Sequence, residues 1–89
     1  MMDFTKYTTD KDELEFLGNI HIAVGIDSQS EVFLKYKDFP FFLEPHGRKI
    51  EVYSRGECLG IYQDIDDLFL NFMIDGKPFI ERIADIDYD

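Results

Sequence analysis

Between Lys49 and Gln63 the chain alternates polar and apolar residues twice, with Arg55-Gly56 separating the two runs. A period of two marks a strand with one buried face, and a glycine-containing dipeptide between two such runs marks a tight hairpin. Pairing Ser54 with Glu57 places Val52 opposite Leu59 and Ile50 opposite Ile61. One face of the ribbon then carries Ile50, Val52, Leu59 and Ile61, and the other carries Lys49, Glu51, Tyr53, Cys58, Gly60 and Tyr62. A slip of one residue would mix the two sets, so the pattern specifies this register strongly. The tip is less ideal, because a two-residue turn asks Arg55 for the positive φ that Asn or Asp adopts more readily. A longer loop with Gly56 in a bulge is the other solution.

The ribbon feeds directly into a helix. Asp64 is a good N-cap, and Asp66 and Asp67 suit the positive end of the helix dipole. Ile65, Leu68, Phe69 and Phe72 recur at the spacing of one helix face, with Leu70 and Met73 widening it. Asp75-Gly76-Lys77 breaks the pattern, and Pro78 fits the first position of a further short helix whose inner face is Phe79, Ile80 and Ile83. The tail Asp85 to Asp89 is expected to fray, with Ile86 able to dock.

Upstream, residues 1–9 read as a loose lead-in that Phe4 and Tyr7 can pin. Asp10 to Glu13 has the form of a capping box ahead of a helix of about two turns, which Gly18 is placed to end. Ile20, Ile22, Val24 and Ile26 alternate as a first strand, and Val32 to Lys37 as a second, with a polar turn at residues 27–30. Pro40 confines Phe39-Pro40-Phe41-Phe42-Leu43 to an edge strand or a strand start, and Glu44-Pro45-His46-Gly47 reads as a turn. The sequence therefore predicts an α+β fold: a single small domain over residues 1–89, with an antiparallel sheet of four to five strands. Short helices at the N- and C-terminal ends pack on one sheet face. The other face is expected to carry His21, Phe33, Lys35, Tyr53 and Tyr62. Nine Phe and no Trp point to a core of Phe, Ile and Leu.

Nineteen acidic against nine basic side chains give a formal net charge of −10. Residues 1–33 hold seven acids and two bases, residues 34–57 four and five, and residues 58–89 eight and two. The acid thus flanks a nearly neutral sheet region. Such a charge repels nucleic acid and anionic membranes and attracts basic surfaces, so neither direct nucleic-acid binding nor membrane association is expected. Cys58 is the sole cysteine, no apolar run reaches membrane-spanning length, and the N-terminus lacks the features of a secretion signal. A cytoplasmic location follows as the expectation.

No constellation for chemistry stands out. Cys58, His21 and His46 are the candidates for nucleophilic catalysis, and nothing brings either histidine to the cysteine. Asp64-Ile65-Asp66-Asp67 lacks the glycine and closing glutamate of a calcium loop, and Gly76-Lys77 lacks the other residues of a phosphate loop. Neither an enzyme activity nor a metal or cofactor is expected. Two features stand above background: the acids Asp64, Asp66, Asp67, Asp75 and Asp85, and the aromatic pair Phe39 and Phe41. Together they predict a protein-interaction module that inhibits or neutralises a larger basic partner, in one version by mimicking a nucleic-acid backbone. The alternative is a homodimer or accessory subunit in which the acid serves solubility alone. The run Arg55 to Tyr62, followed by residues 64–77, resembles the hairpin–helix ending of small acidic bacterial or phage proteins without assigned function. The resemblance covers less than half the chain and implies no site residue.

Overall fold

The computed structural model describes residues 3–89; of the lead-in, Met1 and Met2 lie outside it. A 3-10 turn, Phe4–Lys6, buries Phe4 and leaves Tyr7 exposed. Helix α1 then spans Lys11–Ala23, well past Gly18. Asp10 caps it as expected, accepting from the backbone N–H groups of Asp12 and Glu13 at 2.9 and 3.1 Å. Glu13 does not close the box, because the hydroxyl of Thr8 takes the Asp10 N–H.

The strand expected at Ile20–Ile26 is therefore the end of α1 and the loop after it. Ile20 and Val24 satisfy helical spacing as well as strand alternation, Leu17 joins them only in a helix, and these three are buried while Ile22 is exposed. Packing of that stripe decides between the two periods. Gly18 costs only its intrinsic propensity, since a Cβ there would meet nothing within 4 Å.

The strands are β1 (Val32–Tyr36), β2 (Phe39–His46), β3 (Lys49–Ser54), β4 (Glu57–Tyr62) and a short β7 (Ile86–Tyr88), in the antiparallel order β4-β3-β2-β1-β7. Two further strands, β5 (Met73–Ile74) and β6 (Lys77–Pro78), form a separate ribbon. Strand β2 lies at the centre of the sheet despite its prolines. It pairs with β1 through residues 39–43 and with β3 through residues 42–46, so Pro40 and Pro45 each fall where the strand has one partner. Ser54 donates to the Pro40 carbonyl at 2.6 Å beyond the end of the β3 register. Glu44-Pro45-His46 is thus strand, and the turn shrinks to Gly47-Arg48.

At the tip of the central hairpin Arg55 and Gly56 both adopt positive φ, 52° and 82°, so the two-residue turn is the solution used. The bulge lies instead within β4. Tyr53 faces Cys58 and Val52 faces Gly60, leaving Leu59 as the extra residue. Beyond it the register shifts by one, Ile50 faces Tyr62, and Ile61 is 62% exposed. The expected apolar face of β4 is corrected accordingly: Gly60 and Tyr62 turn inward, and Ile61 turns out. Gly60 permits this, since a Cβ there would lie 2.9 Å from the Tyr62 hydroxyl.

Helix α2 covers Ile65–Asn71 and stops short of the expected Ile74. Phe72 turns extended, and Asp75-Gly76, at φ 50° and 84°, is the tip of the β5–β6 ribbon. Pro78 precedes a 3-10 helix, Phe79–Asp85, whose Phe79, Ile80 and Ile83 are buried. The tail does not fray: Ile86 is buried, and the ladder pairs Leu34 with Tyr88 and Tyr36 with Ile86. Both helices and the 3-10 helix contribute to one core against one sheet face. A side-chain clamp ties the α1–β1 loop to the β2–β3 turn. Gln29 donates to the Gly47 carbonyl and accepts from the Gly47 N–H, both at 2.8 Å.

Two substitutions separate this fold from the one the sequence predicts. Gly18→Ala is expected to raise stability by about 0.5–1 kcal/mol in urea unfolding, because it sits in open space inside a helix; a stop signal at that position would give a loss. Ile86→Ala is expected to cost about 2 kcal/mol or more, where a frayed tail would show almost no change.

Candidate functional site

The bulge in β4 and the departure of Phe72 from α2 open a groove beside the central hairpin. Its volume is about 670 Å³, and its buried part is formed by Tyr36, Phe72 and Ile74. Phe39 and Leu59, each 37% exposed, and Met73, 57% exposed, leave apolar surface to solvent along it. Tyr62 packs edge to face with Phe72, ring centroids 6.0 Å apart. Asp75 is the charged residue of the lining, and its carboxylate approaches the Tyr36 hydroxyl at 3.5 Å.

Each of these positions has a local cause. Phe39 opens β2 beside Lys37, which takes a positive φ of 53° in the β1–β2 turn. Met73 alternates with buried Ile74 in the β5–β6 ribbon, so one points out and the other in. Arg82 holds the tip of that ribbon, its Nε donating to the Ile74 carbonyl at 3.0 Å and its Nη2 to the Asp75 carbonyl. Arg82 and Lys37 also lie over the Tyr36 ring. Burial pushes the Tyr62 phenol above its ordinary value, and Asp67 and Cys58 add to the shift.

Of the residues expected to meet a partner, Phe39 and Asp75 come together on this groove. Phe41 does not: it is 3% exposed, with its ring against Phe72 and Phe79, and so is core. Asp64 and Asp67 are occupied as helix caps. Asp64 accepts from the Asp67 N–H at 2.7 Å, and Asp67 accepts from the Gln63 N–H and the Asn71 amide. Asp66 lies beside His21, Oδ1 to Nε2 3.3 Å, in a second cleft with Asp64 and Arg48. Asp85 is exposed at the end of the 3-10 helix. The five acids are thus dispersed rather than gathered on one face.

Leu59, Tyr62 and Met73 are groove residues that reading the sequence missed. Gly60 was the available signal, since a glycine inside a strand often marks a bulge. The outer sheet face also departs from expectation. Phe33, Lys35 and Tyr53 lie there, whereas His21 is on α1 and Tyr62 faces inward. Phe33, Phe42 and Tyr53 form an aromatic row across three strands, with centroids 5.3 and 5.5 Å apart. Cys58 is exposed, its thiol 3.7 Å from the Gly60 carbonyl. Among the described residues no helix is long and apolar enough to cross a membrane. Comparison with protein-family models, curated proteins and solved structures finds no match.

The raised Tyr62 phenol has a consequence for stability. Its neutral form is favoured in the folded chain, so this contribution is complete below the unfolded value of 10.0 and is lost as pH climbs through the higher folded value. Melting temperatures recorded between about pH 8 and 11 are expected to fall above about pH 10, and to fall less steeply for Tyr62→Phe.

Proposed function

We propose that the chain is a protein-interaction module whose groove receives a basic segment of a partner protein carrying an apolar anchor. The observation that carries this reading is the exposure of Phe39, Leu59 and Met73 around a cleft whose charged lining residue is Asp75, on a chain of net charge −10. Apolar side chains at the centre of a contact supply most of its affinity, and surrounding charge steers the encounter and selects the partner. Occupying the basic segment of a larger protein would inhibit that protein. This is the inhibitory role expected from the acidity, here centred on a groove rather than on a field of carboxylates.

Self-association is the weaker reading. Two copies at −10 each repel one another, and both sheet edges are blunted against strand addition. Strand β4 carries the bulge, and β7 is three residues long with Asp85, Asp87 and Asp89 in and beside it.

Selection of displayed random peptides on the immobilised protein tests the proposal. Retained peptides are expected to combine Lys or Arg with a large apolar residue and to bind more weakly as salt rises. Phe39→Ala is expected to reduce their affinity about tenfold or more in a chain that still folds, although its ring stacks on Phe41, and Asp75→Asn to weaken mainly the salt-sensitive part. Acidic or neutral peptides, or affinity indifferent to Phe39→Ala, would overturn the reading.

A further inference from the structure

On the sheet face away from the helices, Glu44 and His46 of β2 meet Glu51 of β3. We infer that these three side chains form a divalent-cation site suited to Zn²⁺, held by His46 Nε2 and one carboxylate oxygen from each glutamate. This goes beyond the groove and does not rest on its reading.

Glu44 and Glu51 are partners in the β2–β3 register, so two carboxylates stand directly across from each other. Like charges in that position destabilise a sheet unless something neutralises them. No Lys or Arg does so: among the described residues, the ion pairs within 4.0 Å are all between histidine and carboxylate. His46 stands between the two, its Nε2 3.4 Å from Glu44 Oε2 and 3.4 Å from Glu51 Oε2. That spacing is long for a hydrogen bond, whose N···O distance is about 2.7–3.2 Å. It matches the ligand-to-ligand edge around a tetrahedral ion, about 3.3–3.4 Å for bonds of about 2.0–2.1 Å. The donor atoms of all three residues lie within 4.8 Å of one another, which small side-chain rotations can close.

The surroundings hold the donors in place. Tyr53 donates its hydroxyl hydrogen to Glu51 Oε1, which leaves Oε2 for the ion. The Tyr53 ring is stacked on Phe42, centroids 5.5 Å apart and planes 21° from parallel, so the hydroxyl is anchored by the aromatic row. A partner outside the ligand set that orients a ligating side chain is what metal sites commonly employ. One imidazole and two carboxylates suit Zn²⁺, and two negative ligands balance its charge. His46 is half exposed, so a fourth position opens to solvent, where water or a group from another molecule can bind.

The experiment is a calorimetric titration of Zn²⁺ into the full chain at neutral pH, run alongside Cys58→Ser to remove the exposed thiol as a ligand. The expected result is one equivalent bound with micromolar affinity in both proteins. His46→Ala and Glu51→Gln are expected to weaken binding more than about tenfold, Tyr53→Phe about tenfold, and His21→Ala not at all. Substituting Co²⁺ should give the intense visible absorption of a tetrahedral site, lost in His46→Ala. Melting curves without metal show whether each variant is folded, and only folded variants are compared. Binding lost in Cys58→Ser, equal binding by wild type and His46→Ala, or no saturable binding would overturn the assignment.

Discussion

The stacked contact between Phe69 and Phe79 is the joint on which the fold depends. The two rings lie 5.3 Å apart and 16° from parallel, both without solvent exposure. Phe4 meets Phe69 edge-on, Phe41 meets Phe79 in the same way, and Phe41 continues to Phe72 and from there to Tyr62. Those side chains come from the N-terminal turn, the central strand, α2, the segment after it, the 3-10 helix and β4. Aromatic rings remove large apolar areas from water and favour such edge and offset geometries. In a chain with a small core, one aromatic cluster therefore connects segments that no backbone ladder joins. It also explains why Phe41 is unavailable to a partner while its neighbour Phe39 reaches the groove.

The α+β class, the hairpin tip at Arg55-Gly56, the Asp10 and Asp64 caps and the inner residues Phe79, Ile80 and Ile83 were legible because each rests on local chemistry. What was not legible depended on contacts distant in sequence. Ile20 and Val24 fit a strand and a helix equally well by pattern, Ile22 favours the strand, and burial of the helical stripe Leu17, Ile20 and Val24 decides the matter. Pro40 and Pro45 argue against a central strand until the stagger of β1 and β3 shows that each lacks a neighbour on one side. Strand β7 has only three residues and docks onto a partner some fifty positions earlier, so no local period announces it. For the groove, Phe39 and Asp75 could be named from the sequence, but their proximity could not. It follows from the β4 bulge and from the early end of α2.

The two faces of the sheet divide the chemistry. The helical face is apolar, and its imperfect closure at the bulge leaves the groove. The opposite face keeps an aromatic row beside Glu44, His46 and Glu51. By sequence Glu44 and His46 belong to a Pro-Gly turn, a pattern that conceals the face they share with Glu51. Once β2 extends to His46, all three are neighbours by register alone.

The clamp made by Gln29 depends on the chemical identity of one side-chain amide. Its side-chain nitrogen faces the carbonyl oxygens of Val24, Gly25 and Gly47, at 3.3, 3.2 and 2.8 Å. Deamidation would replace that donor with a carboxylate oxygen, setting an acceptor against three acceptors and adding a negative charge to a chain already at −10. The donation that ties the loop after α1 to the Gly47 carbonyl would be lost, and only the bond accepted from the Gly47 N–H would remain between the two segments. The change would be one mass unit on a single side chain, yet its effect would fall on two segments eighteen residues apart in sequence.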